Sequence, residues 1–194
     1  CAGLLVVAVV ITAIFFLFPS QSGGTTLPIL YAKGEQTFAH SRGQTVELSD
    51  NGTEIWMLSV SEDQRCQLYL TVNGSLFSTG KLYYDSPETG PMLVTEDPTS
   101  SGVMSSDGKV VYYAASSGSE GSVLYRFDVE SRTSEKVTQV ESDSFDMEFS
   151  PDEKWLVLSS NCPLSVIEVE SGELVYSGSI TQDVLSVGNK EVYF

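Results

Sequence analysis

Phe149-Ser150-Pro151-Asp152-Glu153-Lys154-Trp155-Leu156-Val157-Leu158-Ser159-Ser160 sets a Pro-Asp turn directly before an apolar, β-prone run. The same order recurs at Ser105-Ser106-Asp107-Gly108-Lys109-Val110-Val111-Tyr112-Tyr113. A third version is read at Leu48-Ser49-Asp50-Asn51-Gly52-Thr53-Glu54-Ile55-Trp56-Met57-Leu58. A second landmark follows each turn: a strand ending in Val72, Val129 or Val169 and then another turn. The intervals from turn Asp to this Val are 22 (50 to 72), 22 (107 to 129) and 17 (152 to 169).

Side chains alternate along these segments. Tyr125, Phe127 and Val129 share one face while Arg126 and Asp128 take the other, and Phe145, Met147 and Phe149 alternate with Asp146 and Glu148. A period of two is that of strands. No sustained helical period appears after residue 18, so residues 28–194 read as all-β. Turn Asp to turn Asp is 57 residues (50 to 107), then 45 (107 to 152), with Asn189 a further 37 on. Units of about 40–50 residues holding four short strands are the pattern of propeller blades. A β-sandwich also suits evenly spaced strands, but the recurrent interval favours the propeller. Each Asp turn is then expected to join a blade's innermost strand to its second strand, with the apolar run packed between blades. Trp155 is expected there as a buried aromatic, its loss costing about 3–5 kcal/mol.

The stretches SPDEKWLVLSS and SSDGKVVYYAAS resemble the WD-repeat-like motif of TolB-type β-propellers, in which a Ser-Pro-Asp-Gly turn precedes the second strand of a blade. The resemblance spans about residues 44 to 194. It is close at Ser150-Pro151-Asp152, partial at Ser106-Asp107-Gly108 and weak at Ser49-Asp50. It implies a fold of antiparallel blades. That family holds binding and scaffolding proteins as well as hydrolase-associated domains, so it implies no activity.

Residues 1–18, CAGLLVVAVVITAIFFLF, carry no charge. As a helix they would be about 27 Å long, close to the hydrocarbon thickness of about 30 Å. They lack the basic n-region and small-residue cleavage site of a signal peptide and the polar face of a core helix. The expectation is a single transmembrane helix at 1–18, a flexible tether at 19–27, and about three to four blades over 28–194. No Lys or Arg lies between Pro19 and Ala32, which favours a β domain outside the cytoplasm. The chain starts without Met, and its last unit has only begun at Lys190-Glu191-Val192-Tyr193-Phe194. It therefore reads as a fragment, truncated at its C-terminal side.

With 26 acidic against 10 basic residues the net charge is −16. Such a field repels phosphate backbones, which argues against a nucleic-acid partner and favours a basic protein or peptide. Membrane lipid is the expected partner of residues 1–18. His40 is the sole histidine. With no Gly-x-Ser-x-Gly elbow and no phosphate loop, no catalytic residue is expected. Three cysteines (Cys1, Cys66, Cys162) show no metal-ligand spacing. Free thiols are the preferred reading over a Cys66–Cys162 disulfide. The acids from Glu141 to Glu153 lack calcium-loop spacing. No cofactor and no metal are expected. Asn51-Gly52-Thr53 and Asn73-Gly74-Ser75 match a glycosylation pattern but read as tight turns.

The segment Lys81 to Pro98, with three prolines, reads as a long loop, and its Tyr83, Tyr84 and Met92 as candidate partner contacts. The competing reading has them closing the gap between blades. The sequence as a whole supports a membrane-anchored propeller acting as a binding or scaffold module, not an enzyme. The alternative is the non-catalytic propeller of a larger membrane-bound hydrolase.

Overall fold

The computed structural model describes residues 29–41, 44–49, 54–72, 80–117, 121–140, 146–159, 164–178, 186–187 and 192–193. The expected transmembrane helix at 1–18 and tether at 19–27 lie outside these, as do Asn51, Asn73, Phe145, Cys162 and Asn189. No helix among the described residues is long and apolar enough to cross a membrane.

The first sheet pairs β1 (Ile29–Lys33), β2 (Gln36–Ser41) and β3 (Gln44–Ser49) in that order, all antiparallel. Seven strands follow in one continuous sheet: β4 (Glu54–Val60), β5 (Gln67–Val72), β6 (Gly80–Asp85), β7 (Met92–Met104), β8 (Val110–Ser116), β9 (Ser122–Asp128) and β10 (Thr133–Val140). This sheet is two four-stranded blades that share β7. The front of β7 pairs with β6 (Met92 with Tyr84, Leu93 with Tyr83) and its end pairs with β8 (Val103 with Tyr112, Met104 with Val111). Thr99 is the crossover residue, paired with Gly80 on one side and Ala115 on the other. The next blade is β11 (Asp146–Phe149), β12 (Trp155–Ser159), β13 (Leu164–Glu168) and β14 (Leu174–Gly178). A last hairpin joins β15 (Ser186–Val187) to β16 (Val192–Tyr193). The architecture is a partial β-propeller, as the repeats implied.

Both faces of β5 and β8 are buried, because the second and third blades each lie between two other sheets. Leu68, Leu70, Val72, Leu82 and Tyr84 of the second blade meet Val111, Tyr113, Ala115 and Phe127 of the third. The alternate residues of that third blade, Tyr112, Ala114 and Leu124, meet Leu156, Leu158 and Ile167 of the fourth. Arg126 therefore does not face solvent as a half-buried strand would have it; it points into the seam between the third and fourth blades. Trp155 is only half-buried, beside Val157, Leu164 and Val166. It opens the strand at the rim of the sheet, and the seam is filled instead by Leu156 and Leu158.

The Asp turns join first to second strands as expected, but the first copy is displaced. The turn that matches Ser105-x-Asp107 and Ser150-x-Asp152 is Ser61-Glu62-Asp63-Gln64-Arg65, between β4 and β5, not Asp50. The spacing becomes 44 (63 to 107) and 45 (107 to 152). In all three, the Ser hydroxyl donates to the Asp carboxylate at 2.7, 2.8 and 2.8 Å. The same oxygen accepts the N–H of Cys66, Val110 or Trp155 at 2.9, 3.0 and 3.0 Å. The fourth position has positive φ each time: Gln64 58°, Gly108 71° and Glu153 54°. Val72 correspondingly ends a second strand, whereas Val129 and Val169 follow third strands, so it is not their equivalent.

Candidate functional site

The turns between first and second strands and those between third and fourth strands lie at one end of the blades. The latter turns share their own device, a residue of positive φ shortly after the strand's end, at Gly90, Arg132 and Gly172. Each donates its N–H to a carbonyl, of Ser86, Asp128 and Glu168 respectively. The face so formed is acidic and fixed. Hydrogen bonds from Ser61 and Arg65 hold the Asp63 carboxyl below its ordinary pKa. At Asp107 and Asp152 burial works upward but is outweighed by hydrogen bonds from the neighbouring Ser and Lys. All three stay ionised at neutral pH.

Between the third and fourth blades this face opens into a cleft of about 640 Å³. Its floor is Tyr112, Phe149, Val110 and Val137, with the Tyr112 and Phe149 rings edge-to-face at 5.7 Å. The Tyr112 hydroxyl donates to the Val169 carbonyl at 3.3 Å. Burial raises the Tyr112 phenol pKa, opposed by the Arg126 guanidinium. On the wall Arg126 donates to Glu135 at 3.1 Å, and Glu153 accepts the Ser106 N–H. Four carboxylates (Asp107, Glu135, Glu153, Glu170) face two cations (Arg126, Lys136) around the opening. It is an acidic cleft with an aromatic floor.

Repeat equivalence explains why the cleft lies here. Arg126 and Glu135 are cross-strand partners. Their counterparts in the second blade are Tyr84 and Met92, also cross-strand partners. There the apolar pair packs into the seam with the third blade. Replacing a plug by an ion pair leaves the seam open at its rim.

This corrects the expectation for Tyr83, Tyr84 and Met92. The segment is not a loop but β6, a short turn and the front of β7, with β6 buried on both faces from Leu82 to Asp85. Tyr83 is 8% exposed, donates to the Leu48 carbonyl and stacks on Tyr69 at 5.8 Å. Tyr84 is 2% exposed, and its hydroxyl meets the Cys66 sulfur at 3.1 Å. Met92 is half-buried against the same core. Tyr83 and Tyr84 close gaps between blades and present no partner surface, and Met92 packs beside them with part of its surface exposed. Aligning the Ser-x-Asp-x-Lys/Arg turns would have marked Arg126 and Glu135 as the departure from pattern. His40, on β2, shares a hydrogen bond of 2.8 Å with Thr45. Cys66 is a buried free thiol. Among the described residues no cluster of His, Cys, Asp or Glu is placed to hold a metal.

No family model and no curated protein matches this chain. Solved structures do. TolB from Acinetobacter baumannii is similar with a TM-score of 0.51 at 18% identity, over 78% of this chain and 38% of that one. The acylaminoacyl peptidase of Pyrococcus horikoshii gives 0.54 at 13% identity, over 70% of this chain and 27% of its own. A putative TolB from Agrobacterium tumefaciens gives 0.48 at 20% identity, over 83% and 63%. The chain thus spans less than two thirds of each. The likeness is one of fold, and that fold is the β-propeller.

Proposed function

We propose that this chain is a propeller module that binds a basic segment of another protein, held outside the cytoplasm by a single membrane span at residues 1–18. The observation that carries the binding role is the acidic cleft between the third and fourth blades. It is open where the equivalent seam one blade earlier is plugged, and its aromatic floor suits the aliphatic stem of Lys or Arg. The module itself is assigned no catalytic step.

Arg126→Tyr with Glu135→Met transplants the Tyr84–Met92 plug. It is expected to leave the melting temperature unchanged or higher while weakening binding of a fluorescent Lys/Arg-rich peptide about tenfold or more, in anisotropy titrations at low salt. Equal binding by both proteins would remove the cleft from the proposal. For the anchor, alkaline carbonate extraction of membranes is expected to leave the protein in the pellet; release into the supernatant would overturn it.

A second reading is the non-catalytic propeller of a larger membrane-bound hydrolase, supported by the likeness to the acylaminoacyl peptidase. A Gly-x-Ser-x-Gly elbow and a later histidine in the parent polypeptide would favour it over a stand-alone binding module.

A further inference from the structure

The seam between the first and second sheets departs from the other two in one place. On the face toward the preceding blade, the third blade carries the cross-strand pair Val111 and Phe127, and the fourth carries Leu156 and Ile167. All four are buried and apolar. The second blade has Gln67 and Asp85 at the same register. Asp85 is 1% exposed and Gln67 2%. Both Asp85 carboxyl oxygens, the Gln67 amide nitrogen and the neighbouring Tyr69 hydroxyl make no hydrogen bond among the described residues. Around them Ala39, Leu48, Tyr69 and Tyr83 pack the two sheets together.

A buried carboxyl is far less costly neutral than ionised when nothing pairs with it. We propose that Asp85 makes this seam a proton-gated contact: with Asp85 protonated the first sheet packs tightly on the second, and with Asp85 ionised the contact opens more readily. Burial alone pushes its carboxyl up to about 7. The Tyr69 and Tyr83 phenols are both pushed upward, by burial first, and stay neutral. Lys33, Glu47 and Glu54 are exposed, His40 is bonded to Thr45 and Lys81 is paired with Glu96. None of these is a cause of the Asp85 shift.

The direction follows from linkage. In the opened seam Asp85 regains an ordinary carboxyl pKa of about 4. Below that pH both states hold the proton and the contact is at full strength. From about pH 4 to 7 the opened state ionises first, so opening grows about tenfold per pH unit, levelling near a thousandfold above pH 7.

Hydrogen exchange of the full chain between about pH 5 and 8, corrected for the intrinsic pH dependence of amide exchange, tests this. Protection of β2, β3, β5 and β6 is expected to fall with rising pH, while β12 and β13 serve as the reference. Asp85→Asn should remove the slope. Gln67→Leu with Asp85→Ile, the fourth blade's own pair, should remove it too and keeps the test open if the Asn variant folds poorly. A Carbon-13 carboxyl titration should place Asp85 near pH 7. A slope that survives both variants, a flat wild-type profile, or an ordinary Asp85 midpoint would each overturn the proposal.

Discussion

Leu156→Ala is expected to lower the unfolding free energy by about 2–5 kcal/mol. Leu156 is fully buried in the seam where the fourth blade meets Tyr112, Ala114 and Leu124 of the third. Removing its branched end deletes transfer free energy and leaves a void walled by side chains that β pairing holds in place. Its neighbours belong to different blades, so neither sheet relaxes inward without breaking register with its own strands. A urea melt measures the loss, and a change below about 1 kcal/mol would mean that the seam is not packed as described. Trp155→Ala, at the half-buried rim, is expected to cost less than Leu156→Ala in the same melts.

Gly80→Ala is expected to be as damaging for the opposite reason. A Cβ at Gly80 would lie 2.3 Å from the Thr71 carbonyl oxygen and 2.8 Å from a Val72 methyl. The Thr71 oxygen is backbone within β5, so it yields only by distorting the ladder between β5 and β6. Gly80 also faces Thr99, where β7 passes from one blade to the next, so the strain falls at the crossover. Overpacking against backbone puts the cost at about 3 kcal/mol or more. Near-native stability of this variant would contradict the close approach.

The blades were legible in the sequence where the governing chemistry is local. Ser150-Pro151-Asp152 and Ser105-x-Asp107 carry the hydroxyl, the carboxylate and the turn within a few residues, and those groups bond one another in the fold. In sequence the first copy reads at Asp50 because Asn51-Gly52 is a stronger turn signal than Asp63-Gln64. Gln64 takes positive φ without being glycine or asparagine, and no local pattern announces that. Tyr83, Tyr84 and Met92 misled for another reason. Three prolines suggest a loop, yet Pro87 and Pro91 sit in the short connection between β6 and β7, and Pro98 lies within β7 just before the crossover. A tyrosine in a strand covered on both sides looks, in sequence, like one on an open surface. The Arg126–Glu135 cleft and the Gln67–Asp85 seam become visible only once blades are aligned by their true turns.

The sharing of β7 sets the unit in which this protein is divisible. Between the second and third blades there is no connecting loop, since one strand of 13 residues is the outer edge of one and the inner edge of the other. A cut, a duplication or a recombination boundary placed between them would sever a strand and strip a ladder from both. The two blades therefore form one structural unit, and the single blade, so evident in the repeat, is not separable here without breaking a strand.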